Sequence, residues 1–373
     1  MFLYVYISFF KKVRSFTFAG MTDYIVVGLG LAGIAFCETL EKEGKSFVVF
    51  DDGSQKSSGV AGGLYNPVIL KRFTKVWMAR EQLHLAIPFY KRLEEKFKEQ
   101  YDYKIPVYRR FTSVEEQNMW FEATDKPGLG EFMSLKIHKN ANPHIHAPYG
   151  FGEVLQTGRL DTAALQKTYT NHLIKKKILQ NETFETSKIE FKDAYVSYKG
   201  LNSRYIVFAD GFGMKSNPFF NYLPLNGTKG QLVTIEAPAL ALDFVLKSSV
   251  FIIPQGNSLY RIGATYEWDD KTNKTTPGAR QELLRKLDSF MKCPYKVVHQ
   301  EAGIRPTVTD RRPLVGRHPV HKNLLLLNGM GSRGVMIAPY ISRELYQCIE
   351  NGSPLNPEID IQRFIKKFEN TSN

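Results

Sequence analysis

The fold of this chain turns on Asp23-Tyr-Ile-Val-Val-Gly28-Leu-Gly30-Leu-Ala-Gly33, a short β-branched run that passes directly into three glycines. Ile34 to Leu40 continue with helical character, and a second apolar run, Ser46-Phe-Val-Val-Phe50, ends at Asp51. The pattern predicts strand, tight turn, helix and strand. Gly28 permits the turn, Gly30 lets the backbone come against a pyrophosphate, and Gly33 lets helix and strand pack closely. The helix N-terminus adds N–H donors and the positive end of its dipole. Asp51 lies 23 residues after Gly28, where a carboxylate accepts both hydroxyls of an adenosine ribose. A glycine turn of purely structural origin is the competing reading, and the two flanking strands with the closing acid favour dinucleotide binding.

Further along, Ser57-Ser58-Gly59-Val60-Ala61-Gly62-Gly63-Leu64-Tyr65-Asn66-Pro67 is rich in small residues. Such side chains let backbone approach a flat ring system, although a flexible loop has the same composition. The strand-like run Tyr205-Ile-Val-Phe-Ala209 ends in Asp210-Gly211-Phe212-Gly213 and suits a pass beneath a cofactor. Gly230 to Ile235, Val250 to Ile253 and Leu259 to Thr265 also read as strands. Asp161 caps a helix through Leu165, Tyr169 and Leu173, and Thr276-Pro277 opens another through Leu283, Leu284, Leu287 and Phe290. Leu324 to Leu327 reads as a buried parallel strand feeding Asn328-Gly329-Met330-Gly331-Ser332-Arg333-Gly334, then a helix through Ile341 and Leu345. Arg305 and Arg333 flank this architecture, and arginine grips a carboxylate through two parallel N–H···O contacts. Pairing of each with local acids is the alternative.

The 373 residues suggest two to three domains or one two-lobed enzyme, and 43% hydrophobic content excludes an extended disordered role. Lysine and arginine outnumber acids 50 to 37, a net +13 that suits an anionic partner or simply a basic surface. Residues 1–20 carry an apolar run, then Lys11, Lys12 and Arg14, and no acid. They fit neither a secretory signal nor a membrane span, and read as an extension upstream of a start at Met21, with a weak membrane-surface anchor as the alternative. Without them the net charge falls by 3 to +10. Lys71 to Arg110 holds eleven basic and five acidic residues, and Ala86, Tyr90, Leu93 and Phe97 mark one face of an amphipathic helix there. A solvated helix face is favoured over a nucleic-acid surface. Cys37, Cys293 and Cys348 are odd in number and widely spaced, which fits a reducing, cytoplasmic setting. His138, His144 and His146 lack metal-site spacing, so no metal is expected.

These motifs together resemble the FAD-dependent D-amino-acid oxidase superfamily, which includes glycine and sarcosine oxidases. The resemblance spans Asp23 to about Gly352. Ser58-Gly59…Leu64…Pro67, Gly263-Ala-Thr-Tyr266, Asp310-Arg-Arg-Pro-Leu-Val-Gly316 and Gly331-Ser-Arg-Gly334 are most similar to the FAD-dependent oxidoreductase half of the bifunctional enzyme of tRNA wobble-uridine 5-methylaminomethyl modification. It implies an α/β fold: a Rossmann-like FAD lobe of the glutathione-reductase type from residues 21–75, 156–222 and 306–373. An α+β substrate lobe with a large antiparallel sheet follows from 76–155 and 223–305.

For the cofactor, the resemblance implies contacts from Gly28, Gly30, Leu31, Ala32, Gly33, Asp51 and Asp52, then Ser58, Gly59, Gly62, Gly63 and Leu64. Phe184, Ala209, Asp210, Gly211, Gly303 and Arg305 continue the set, and Gly329, Gly331, Ser332, Arg333, Gly334 and Val335 complete it. Arg305 matches the arginine that holds the substrate carboxylate in glycine oxidase, and Arg333 a second arginine near the substrate. Phe251 stands where glycine oxidase has tyrosine, and Tyr266 where it has methionine, which puts glycine itself in doubt. No cysteine near Pro313 matches the flavin-tethering cysteine of monomeric sarcosine oxidase, so FAD is expected to be non-covalent.

The implied reaction is oxidation of a C–N bond in a small amine or amino acid by hydride transfer to flavin N5, with oxygen or another electron acceptor closing the cycle. Two alternatives stand beside it: a tRNA-modifying oxidoreductase acting on 5-carboxymethylaminomethyl uridine, and a non-catalytic flavin-binding protein.

Overall fold

The computed structural model describes residues 20–372; the reading of residues 1–20 as an upstream extension or membrane-surface anchor falls, apart from Gly20, outside the described residues. In chain order, the elements that build the site are β1 (Thr22–Val27), α1 (Leu31–Lys42), β2 (Phe47–Phe50), α2 (Ser57–Val60), α3 (Ala79–Phe97) and α4 (Thr162–Lys175). They continue with β3 (Leu201–Phe208), β4 (Thr228–Glu236), β5 (Val245–Lys247), β6 (Phe251–Gly256), β7 (Leu259–Gly263) and α5 (Pro277–Asp288). The last are β8 (Lys296–Arg305), β9 (Leu324–Asn328) and α6 (Gly334–Asn351).

Among the described residues there are two eight-stranded sheets, and the first has a parallel centre in the order β2, β1, β3, β9. The near-continuous apolar runs of these strands follow from burial on both faces. Val26, Val49, Val207, Leu325 and Leu327 point to one side with α1, α3 and α6, while Ile25, Val48, Ile206, Leu324 and Leu326 point to the other. Because the four strands are parallel, they all leave the sheet at one edge. Gly28, Asp51, Ala209-Asp210 and Gly329 are therefore neighbours despite being spread over the sequence.

The second sheet runs β8, β4, β7, β6, β5 and continues through Val107–Arg110, Phe151–Val154 and Met133–His138. Its registers fix which residues share a face. Leu246, Ile252, Ile262 and Val233 stand in one row and pack on Leu283 and Leu287 of α5. One residue along, Lys247, Phe251, Gly263 and Leu232 form the next row and point to the opposite face, towards the first sheet. Gly230, Gly303 and Arg305 lie on that same face.

The expected helices are present, capped by Asp161 onto the Ala164 N–H and by Thr276 onto the Ala279 N–H. Two details differ from expectation. The small-residue segment after Asp51 is not loop throughout: Ser57–Val60 closes one helical turn, and Leu64–Tyr65 pairs with Gly158–Leu160. Its turn lies directly on β8, where a Cβ on Gly303 would come 3.2 Å from Ser57 Cα, so packing against the second sheet overrides the segment's low helix propensity. The strand expected through Thr265 ends at Gly263.

Candidate active site

At the shared edge, β1 and β3 leave the sheet so close together that a Cβ on Gly28, whose φ is +97°, would fall 2.6 Å from the Ala209 carbonyl oxygen. A Cβ on Gly33 would fall 2.0 Å from the Gly28 carbonyl oxygen. Glycine is thus required at both places, once for the turn and once for the approach of α1 to β1. α1 begins at Gly30 with no side-chain cap and no acid in its first turn. The Leu31 N–H donates to Ser58 Oγ at 3.0 Å, and Gly30, Leu31 and Ala32 line the cavity. Asp51 accepts from the Leu29 N–H at 3.0 Å and from the Gly53 N–H at 3.3 Å, which aims its carboxylate along the turn. Burial pushes its pKa up, against the opposing pull of those two N–H groups.

The cradle therefore has a glycine turn that admits no side chain, an uncapped helix N-terminus and a fixed acid at the next strand end. These are the features an adenine dinucleotide requires, so FAD fits: Gly28 to Ala32 would hold the pyrophosphate, and Asp51 the ribose.

From this cradle a cavity of about 340 Å³ extends to the second sheet. One wall is made of Ser57, Ser58 and Val60–Leu64, and another of Gly331–Met336. Arg261 ties the first wall to the sheet, donating to the Ala61 carbonyl at 2.9 Å and to Glu301 Oε2 at 2.7 Å. The second wall is the N-terminus of α6, again without a side-chain cap. Asp210 is placed by Asn328, whose Nδ2 donates to Asp210 Oδ1 at 3.3 Å and to the Gly211 carbonyl at 2.8 Å. Burial pushes the Asp210 carboxyl up to about 7.

At the far end Arg305 crosses over Gly230, its Nη1 donating to the Thr265 carbonyl at 3.3 Å. Tyr266, 65% exposed, lies at the mouth with its ring centroid 4.6 Å from the Arg305 guanidinium carbon. Arg333 and Phe251 line the same space. Burial pushes both arginines below their ordinary pKa, and among the described residues no carboxylate lies within 4 Å of either guanidinium. The possibility that each arginine pairs with a local acid is thereby removed for the described residues.

Most of the residues expected at the site line this one cavity: Gly28, Gly30, Leu31, Ala32, Asp51, Ser58, Gly62, Gly63, Leu64, Ala209, Asp210, Gly211, Phe251, Tyr266, Gly303, Arg305, Gly331, Ser332, Arg333, Gly334 and Val335. Asp52 and Phe184 line an adjoining cavity that shares Gly28, Asp51 and Asp210 with the first. Gly33, Gly59 and Gly329 line neither. Gly33 is behind the turn; a Cβ on Gly59 would face Gln166, and one on Gly329 would meet Val308 and Leu314. Sequence reading did not single out Lys247 or Gln55, and it held Phe212 and Asn328 only inside the quoted motifs; all four line the cavity. A lysine closing the apolar strand Val245-Leu-Lys247 was the available signal for the first. Among the described residues there is no group of three His, Cys, Asp or Glu able to hold a metal ion.

Residues 23–347 match the family described as "DAO: FAD dependent oxidoreductase". The chain is 24% identical to "Glycine oxidase" of Bacillus licheniformis over 360 residues, which covers 90% of this chain and 95% of that protein. It is 28% identical over 156 residues to "tRNA 5-methylaminomethyl-2-thiouridine biosynthesis bifunctional protein MnmC" of Idiomarina loihiensis, covering 39% of this chain and 25% of that one. In fold it is similar to the crystal structure of glycine oxidase from Geobacillus kaustophilus, with a TM-score of 0.75, 19% identity, and coverage of 92% of this chain and 98% of that one.

Proposed function

The chain belongs to the DAO family of FAD-dependent oxidoreductases, and from that premise we propose that it oxidises the C–N bond of a small amine or amino acid. The observation that carries this reading is the pair Arg305 and Arg333, unpartnered by any described carboxylate, at the end of a cavity whose other end is a dinucleotide cradle. Residues 21–75, 156–222 and 306–373 form the cofactor lobe in this reading, and 76–155 with 223–305 the substrate lobe.

Bound FAD supplies an acceptor for a hydride equivalent. Arg305 holds the substrate carboxylate through paired N–H···O contacts, so the α-carbon is fixed relative to the cavity floor. The two guanidiniums disfavour a positive charge on the nearby amine, which keeps its nitrogen neutral and its lone pair available. Phe251 and the apolar Leu232 and Ile253 exclude water from the α-carbon. The uncapped α6 N-terminus presents N–H donors to negative charge developing opposite it. The imine product hydrolyses in water. Oxygen or another acceptor completes turnover. FAD is held without a covalent bond in this reading, since among the described residues no cysteine lines the cavity.

Anaerobic titration of the yellow holoenzyme with glycine, sarcosine, proline and D-amino acids tests the proposal. Bleaching by at least one supports it; an unreduced flavin across the panel refutes it. The partial likeness to the MnmC protein favours a second reading, an aminomethyl-uridine oxidoreductase acting on tRNA. Binding of tRNA that weakens steeply with salt would support that reading. Among the described residues no helix is long and apolar enough to cross a membrane.

A further inference from the structure

Two cavity-lining cations are left unused by the reading above, Lys71, which is exposed, and Lys247, which is half-buried. Lys247 ends β5 and stands in register with Phe251, so both side chains leave the sheet on the cavity face. Its Nζ lies 4.6 Å from the centroid of the Phe251 ring. Among the described residues no carboxylate comes within 4 Å of that ammonium, and its charged neighbours Arg109 and Lys286 are both cations. Arg109 is already satisfied by Glu116, and Lys286 by Glu282.

The contrast with Lys229 is informative. That lysine is fully buried and is matched by Asp270, so this fold neutralises a buried ammonium where it has only a structural task. Among the described residues the one compensating contact at Lys247 is an aromatic face, which does not offset the desolvation of a charge. The cavity's own carboxylates do not help: among the described residues only Asp51 and Asp210 line it, both at the strand edge of the first sheet.

Lys247 also does not duplicate Arg305. β5 and β8 are four strands apart in the sheet, which separates their backbones by about 19 Å at ordinary strand spacing. The guanidinium reaches inward over Gly230 of β4 and the ammonium over Phe251 of β6, strands two apart and about 10 Å across the sheet, so the two cations face different parts of the cavity.

Resting on the C–N oxidation reading, we propose that the substrate carries two carboxylates, one held by Arg305 and the second by Lys247, so that Lys247 selects an amino dicarboxylate over a simple amino acid. The Phe251 ring then forms the apolar wall between the two anchors, a role for which phenylalanine serves better than a tyrosine needing a hydroxyl partner.

Two ethers without an oxidisable nitrogen test this on the holoenzyme by calorimetry: diglycolate, with two carboxylates, and methoxyacetate, with one. The wild type is expected to bind diglycolate at least about tenfold more tightly, as a desolvated charge pair warrants. Lys247→Met should abolish that preference while leaving methoxyacetate affinity unchanged, and Lys247→Arg should restore part of it. Equal affinity for the two ethers in the wild type, or a preference that survives in Lys247→Met, would overturn the proposal. Flavin bleaching is scored separately. Bleaching by sarcosine with no dicarboxylate preference sinks this inference alone; a Lys247-dependent preference without bleaching by any amine sinks the C–N oxidation reading and leaves the second anchor standing.

Discussion

Arg305 lies where a side chain on Gly230 would be: a Cβ built on that glycine falls 2.0 Å from Arg305 Nη2 and 2.2 Å from Cζ. The two residues sit on adjacent strands of the same face, Gly230 paired with Gly303 and Arg305 with Thr228. The obstacle is the far end of a flexible side chain, so Gly230→Ala should fold with little change in melting temperature while pushing the guanidinium aside. We expect full FAD content and a KM for the amine raised by about tenfold or more, the size of a lost charge-assisted contact. Arg305→Ala should raise KM at least as far. Steady-state kinetics beside flavin absorbance check this; an unchanged KM in both variants removes Arg305 from the site.

In the proposed reading Asp51 bears on the cofactor alone. Its carboxylate is aimed by the Leu29 and Gly53 N–H groups and touches neither arginine. Asp51→Ala should weaken FAD binding by about ten- to a hundredfold, as expected for a lost hydrogen bond to a charged group. The measurement is quenching of flavin fluorescence on titrating apoprotein into FAD. Affinity equal to wild type would show that another group holds the ribose.

Stability provides a separate readout for Lys247. Burial pushes its pKa from an ordinary 10.5 down to about 8. Between those values the unfolded chain binds a proton that the folded chain does not, so this group's contribution to stability rises with pH through that window and is least favourable below about 8. Lys247→Met should therefore raise the melting temperature at pH 7, by the equivalent of about 1–3 kcal/mol, with the gain shrinking as pH approaches 10. Thermal scans across that range decide it, and a destabilised variant at pH 7 would mean that the ammonium is compensated in the fold.

His318 should govern part of the acid limb. It is buried among Phe219, Phe220 and Phe368, and its Nδ1 accepts from the Val320 and His321 N–H groups at 3.2 and 3.0 Å. Burial, then His321 and Lys322, push its pKa down to about 4 from 6.5. The unfolded chain takes up a proton in that interval that the folded chain refuses, so stability falls as pH drops from 6.5 to 4. His318→Phe should flatten the melting-temperature profile over this interval; identical slopes would refute the assignment.

Much of this was legible in the sequence because local patterns carried it. The turn at Gly28, the closing Asp51 and the run Leu324–Leu327 each announce an element within a few residues, and the site glycines follow from them. What was not legible depends on register between distant strands. Lys247 faces the cavity only because β5 pairs with β6 at Phe251, and a slip of one residue would turn it towards α5. Ser57–Val60 is helical because β8 lies beneath it, a contact across more than 240 residues. Gly33, Gly59 and Gly329 belong to the same glycine patterns as their cavity-lining neighbours, but shape backbone packing instead.

The common exit edge of the four parallel strands has a consequence for how the enzyme matures. Its cradle draws on Gly28, Asp51, Ala209 and Gly331, so the pieces emerge from a ribosome across more than 300 residues of synthesis. A nascent chain that stops short of Leu324 has the glycine turn and the acid but lacks the strand beside β3 and the cavity wall from Gly331 to Met336. Yellow colour in a purified preparation therefore reports on the extent of synthesis: flavin retention shows that β9 and α6 have been made, before any substrate is added.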